Sequence, residues 1–259
     1  SLFSAASDVY KRQLSNNAEI CSYPALCRSD ALPEAGELAD LDAATSRANA
    51  GRAVRLPTGV GFCLYIRRTA LREVGDFDAE RFARGYGEEN DFCLRARERG
   101  YQHVLAADVF VGHEGGTSFA ASREALIERA MQTLDRLHPG YHAEIQAFIE
   151  ADPVRSVRRR LDAERLGVDA PSVLLVSHAQ GGGTERHVRE LALHLEDGST
   201  PVLLLQPEPP GRVRLSRPGR PPVENLVFDP ATELDALVDT LRRLRVRHVH
   251  FHHTLGMDD

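Results

Sequence analysis

The chain has 259 residues, a mass of 28.6 kDa and a net charge of −6, a size that admits one large domain or two modest ones. Hydrophobic residues make up 42% and charged residues 27%, the balance of an ordinary globular chain. The acidity argues against a general nucleic-acid binder. No apolar run reaches the ~18 residues of a membrane span, and the scattered Cys21, Cys27, Cys63 and Cys93 suit a reducing cytosol better than a disulfide scaffold.

Lys11 is the only lysine among 32 basic residues, a bias that points to GC-rich coding sequence. It lies in Ser1 to Gln13, SLFSAASDVYKRQ. That stretch has no initiator methionine and no clear apolar period, and it resembles a translated sequencing adapter. The expectation is that residues 1–13 are not native and add nothing to the fold, that the protein proper begins at Leu14, and that the chain is a fragment at both ends.

Along the chain, Asn16 to Thr58 is loop-rich, with a short helix from Leu38 to Ala50. Val54 to Leu56 and Gly61 to Ile66 read as strands. Thr69 to Val74 reads as a helical turn ended by Gly75, and Glu88 to Arg99 as a helix stopped by Gly100. His103 to Ala106 and Val109 to Gly112 read as two short strands. Helices follow at Ser122 to Leu137, Tyr141 to Ile149 and Val154 to Leu166. The pattern then changes. Val173 to Ser177 is a buried-strand run, followed by Gly181-Gly182-Gly183 and a helix with Val188, Leu191, Ala192 and Leu195 on one stripe. Val202 to Leu205 is a second strand, and Glu208 to Pro222 reads as a mobile loop. A helix with Leu234, Leu237, Val238 and Leu241 and a third strand, Val246 to Phe251, complete a doubly wound parallel sheet. The fold class is α/β in two units, 14–150 and 171–259, joined by an Arg-rich helical linker, 151–170.

Glu88, Glu89 and Asp91 fall on the first turn of a helix, where free N–H groups and the macrodipole favour anions. They are either ordinary helix-start residues, with Asp91 and Arg95 a surface pair at i, i+4, or they include a general base. His113 closes a strand and is either an ordinary side chain or a metal ligand. The run HVHFHH, His248 to His253, puts His248, His250 and His252 on one face of a strand. Arg212, Arg214, Arg217 and Arg220 in the expected loop are either solvated or meet phosphates or an anionic membrane.

Order and spacing add a resemblance. GVGFCLYIRRTALREVGDFD from Gly59, GEENDFCLRARERGY from Gly87 and VFVGHEGGTSF from Val109 resemble the C-terminal, acceptor-side half of a family 2 glycosyltransferase of the GT-A fold. The resemblance runs from Leu14 to Leu137. It implies a carboxylate base at Glu89, with Glu88 and Asp91 as alternatives, and a substrate-binding wall at Thr58, Gly59 and Arg95. It also implies His113 completing a Mg²⁺ or Mn²⁺ site. The Asp-x-Asp motif of such enzymes is not in this chain, because Asp40-Leu41-Asp42 lies in a polar helical stretch. From Pro171 to Asp259, GGxERHVxELA resembles the start of a family 4 glycosyltransferase of the GT-B fold. It implies Gly182, Gly183, Glu185 and His252 facing a substrate cleft.

These resemblances together imply a fragment of a bacterial glycosyltransferase of surface polysaccharide synthesis. It would be cytoplasmic, with peripheral association at the inner face of the membrane. A nucleotide-sugar would be the donor and a glycan or lipid-linked molecule the acceptor, with inversion at the sugar carbon. The isolated fragment is expected to be inactive. Two other readings stay open: a non-catalytic sugar- or partner-binding remnant, and a zinc hydrolase built on His248 to His253.

Overall fold

The computed structural model describes residues 8–59, 61–82, 86–114, 123–178 and 180–253. Two compact units are present, Ser1–Val157 and Arg158–Asp259, and both are α/β with a mixed sheet.

The first unit begins with β1 (Asp8–Leu14), a 3₁₀ turn (Glu19–Cys21), α1 (Ala35–Asn49), β2 (Ala53–Leu56) and β3 (Tyr65–Ile66). It continues through α2 (Arg68–Val74), α3 (Ala79–Phe82), α4 (Glu88–Glu98), β4 (Gln102–Phe110), α5 (Arg123–Leu137) and α6 (Tyr141–Ala151). The sheet order is β2-β4-β1-β3. β1 runs parallel to β4 and antiparallel to β3, while β2 runs antiparallel to β4.

Two features differ from expectation. Residues 8–13 do not stand outside the fold: they form most of an inner strand. Ladder hydrogen bonds come from the backbone, so a stretch without an apolar period can still pair on both edges. The side chains show the strain of that placement. Arg12 is fully buried, and among the described residues none of its three guanidinium nitrogens has a hydrogen-bond partner. β4 is one nine-residue strand rather than two short ones. Residues 1–7 and Gly115 to Phe119, the latter part of the His113 motif, lie outside the described residues.

α4 is wedged between two helices. Its Phe92 and Ala96 pack on Ala70 and Val74 of α2. Its Leu94 packs with Phe82, Ala130, Leu134 and Tyr141. Gly87 sets the helix start with φ 88°, and a Cβ there would meet Phe82 and Leu134 carbons at 3.1–3.3 Å. Both the left-handed backbone and the close approach call for glycine.

α7 (Arg155–Arg165) crosses the boundary between the units, and the second unit continues with β5 (Ser172–Val176), α8 (Gly182–Asp197), β6 (Val202–Glu208), β7 (Arg212–Ser216), β8 (Val227–Phe228), α9 (Pro230–Arg243) and β9 (Val246–Phe251). The strand order is β8-β7-β6-β5-β9. Only β6, β5 and β9 are parallel, while β7 and β8 add antiparallel strands. The wholly parallel sheet is therefore corrected to a mixed one. The expected mobile loop is β7, which buries Val213 and Leu215 between arginines. Arg214 forks onto Glu208 at 2.8 and 2.9 Å, and Arg217 donates to the Leu166 carbonyl at 2.8 Å.

The Arg-rich helix is more than a linker. From Arg158 on, it contributes to the second unit. Ala163 and Leu166 enter its core. Arg159 lies 4.5 Å over the Phe228 ring and bonds the Val227 carbonyl and Glu233. Among the described residues no helix is long and apolar enough to cross a membrane.

Candidate active site

The first unit gathers Thr58, Gly59, Gly61, Phe62, Glu89 and His113. Glu89 stands on the first turn of α4. A Cβ at Gly61 would lie 3.2 Å from Glu89 Oε1, so the glycine lets the chain pass directly over the carboxyl. Burial pushes the Glu89 carboxyl up from 4.5 to about 7. Glu88 and Glu19 push the same way, while a backbone hydrogen bond and Arg12 oppose them. A carboxyl that changes charge near neutrality can give and take a proton under physiological conditions. Its neighbour Glu88 has one buried oxygen, Oε2, without a partner among the described residues.

Thr58 is buried and donates to Asn90 Oδ1 at 2.8 Å, tying the segment after β2 to α4. A Cβ at Gly59 would come within 3.0 Å of Cys93 Sγ. Burial pushes the Cys93 thiol up to about 12, so it is a packed neutral group rather than a nucleophile.

Asp91 and Arg95 face away from this opening. Asp91 is 2% exposed. Its Oδ2 accepts from Arg95 Nε at 2.7 Å and its Oδ1 from His138 Nε2 at 2.8 Å. Arg95 spends its other N–H groups on the carbonyls of Val74 and Asp76. Both residues brace α4 against α2 and the end of α5, which leaves neither free to serve as base or anion receptor.

His113 is held by two asparagines. Its backbone N–H donates to Asn16 Oδ1 at 2.8 Å, and its carbonyl accepts from Asn16 Nδ2 at 3.0 Å. Its ring donates from Nδ1 to the Asn17 carbonyl at 2.6 Å, which leaves the Nε2 lone pair outward. Phe62 stacks on the ring at 4.4 Å between centroids, 13° from parallel. A ring fixed by its second nitrogen suits a ligating histidine. One imidazole is not a metal centre, however. Among the described residues no group of three or more His, Cys, Asp or Glu could hold a metal ion. Among the described residues His113 therefore gains no partner ligands for Mg²⁺ or Mn²⁺.

In the second unit, Gly182 and Gly183 open α8, and a Cβ on either would meet nothing within 4 Å. Glu185 is paired with Arg189 at 3.0 Å on the exposed helix surface. His252 lies past the C-terminal end of β9 and donates its backbone N–H to the Val176 carbonyl. Its ring is 4.5 Å from that of His250 and 5.4 Å from that of His187 on α8. Burial, then these two imidazoles, lower its pKa. The cluster differs from the expected trio: His187 joins it from a helix, and no ring contact ties His248 to it. These residues sit where ligands meet doubly wound sheets, at the carboxyl ends of parallel strands.

Comparison of the chain with protein-family models, with curated proteins and with solved structures returns no match. Sequence reasoning missed Asn16, Asn17, Phe62, His138 and His187. The Ser15-Asn16-Asn17 run after a strand was the available signal, since asparagine pairs readily with backbone groups in turns. Nothing local marks His138, which reaches Asp91 from 47 positions away.

Proposed function

We propose that the first unit is the acceptor-side half of an inverting GT-A sugar transferase, with Glu89 as its base. The observation that carries this is the half-buried Glu89 carboxyl, poised near pH 7 beside Gly61. As the acceptor oxygen attacks the sugar C1 in line, Glu89 takes the hydroxyl proton, and the nucleoside diphosphate leaves with the C1–O bonding pair. Thr58 and Gly59 shape the wall beside the base, while Asp91 and Arg95 hold its helix. A low-polarity setting that raises a carboxyl to neutrality matches general-base demands.

In the same reading the second unit is the start of a GT-B sugar transferase. Gly182, Gly183, Glu185 and His252 would line its cleft. The open glycine backbone at the start of α8 and the lowered pKa of His252 support this. Donor and acceptor are a nucleotide-sugar and a glycan or lipid-linked molecule of bacterial surface polysaccharide synthesis, handled at the inner face of the membrane.

Joined behind a nucleotide-binding half that carries Asp-x-Asp, the chain should transfer sugar to an oligosaccharide. Glu89→Gln should then lower kcat by about 10²–10⁴-fold. Equal rates for parent and variant would leave a sugar-binding remnant as the better reading. The zinc-hydrolase reading finds no metal group among the described residues.

A further inference from the structure

The turn between α5 and α6 does more than end a helix. It reads His138-Pro139-Gly140-Tyr141 and is closed by the Tyr141 N–H donating to the His138 carbonyl at 3.2 Å. Two polar side chains leave it in the direction of α4. His138 Nε2 donates to Asp91 Oδ1 at 2.8 Å, with the His138 side chain 11% exposed. The Tyr141 hydroxyl approaches Thr58, and Thr58 donates to Asn90 Oδ1 at 2.8 Å. Asn90 and Asp91 are the two residues that follow Glu89. The turn therefore bears on the first turn of α4 at consecutive positions, directly at Asp91 and by way of Thr58 at Asn90. The Tyr141 ring adds apolar packing against Leu94 and Leu134.

We infer that the His138–Tyr141 turn is a positioning element for Glu89, acting through Asp91 and Asn90, with His138 and Tyr141 as its positioning residues. Neither makes a hydrogen bond to Glu89. The charged groups that face Glu89 are Glu88, Glu19 and Arg12, and none belongs to the turn. The effect of the turn on Glu89 is therefore geometric: it keeps the carboxyl in its half-buried position against Gly61. The inference rests on the reading of Glu89 as base, but its test needs no sugar transfer.

The test is a ¹³C NMR titration of glutamate-labelled full chain, with the Glu89 signal assigned by its loss in Glu89→Gln. In His138→Ala and in Tyr141→Phe the Glu89 midpoint should fall by about one pH unit, a tenfold change in ionisation. His138→Gln, whose amide nitrogen can reach Asp91, should restore the parent value. Tyr141→Phe keeps the ring in the core, so it decides the matter should His138→Ala fail to fold. A parent midpoint near 7 with unmoved midpoints in folded variants overturns the positioning role alone. A parent midpoint near 4.5 overturns the base reading and the positioning role with it.

Discussion

Glu89→Gln is expected to be more stable than the parent chain at pH 8, by about 3 kcal/mol, and no different at pH 4. The Glu89 carboxyl ionises at about 7 in the folded unit and at 4.5 ordinarily. Between those values the folded state holds a proton that the unfolded state has lost. The protonated form therefore contributes stability that is fully present below about 4.5 and lost as pH rises through about 7. Glutamine is a neutral isostere of that form and loses nothing. His103 produces the opposite slope. It is buried, its Nε2 is bonded to the Cys93 carbonyl, and its pKa is lowered from 6.5 to about 4 by burial. Its neutral form is favoured in the fold, so stability rises with pH between about 4 and 6.5. In the parent the two slopes cancel over much of that window; in Glu89→Gln only the His103 slope remains. Denaturant unfolding followed by far-UV circular dichroism at several pH values reads both effects, a suitable probe for a chain without tryptophan. Equal stability of variant and parent at pH 8 would mean a solvated carboxylate and no poised base. A group that costs stability at working pH is what a catalytic role would explain.

Arg12→Leu is the second large effect: the variant should be more stable than the parent by about 1–4 kcal/mol, which raises the thermal midpoint by several degrees for a unit of this size. Arg12 is fully buried on the inner strand β1, and its three guanidinium nitrogens have no hydrogen-bond partner among the described residues. Burial lowers its pKa, only partly opposed by Cys21, Cys93, Glu89 and Glu19. Its ring contact, 5.8 Å to the Phe62 centroid, is too weak to offset the lost hydration. Leucine fills the same space without that cost. Arg12 belongs to the adapter-like stretch and is fully buried. A loss of stability in Arg12→Leu would show that the guanidinium finds compensation the strand does not display.

The helices and the parallel strands were legible because burial there follows a period. Val188, Leu191, Ala192 and Leu195 mark one stripe, and Val173 to Val176 an unbroken apolar run. Acidic residues opened α4 and Gly100 followed its end, as capping physics requires. β7 was illegible for the opposite reason. Arg212, Arg214 and Ser216 alternate with Val213 and Leu215, and the density of charge hid a half-buried strand in which Arg214 is paired with Glu208 of β6. β1 was hidden because its pairing rests on the backbone.

The candidate site was half legible. Order and spacing singled out Glu89, Thr58, Gly59 and His113, which the structure gathers. The i, i+4 spacing gave the Asp91–Arg95 pair, but not its depth or its third member, His138, because that contact is made by tertiary packing. The approach of Gly61 to Glu89 is made by tertiary packing, and no local pattern around Glu89 announces it.

The most direct test of the account is the Glu89 titration itself, followed by ¹³C NMR on the full chain between pH 3 and 10. The account predicts a midpoint at about 7, displaced upward by burial. A midpoint at the ordinary carboxylate value, near 4.5, would contradict it.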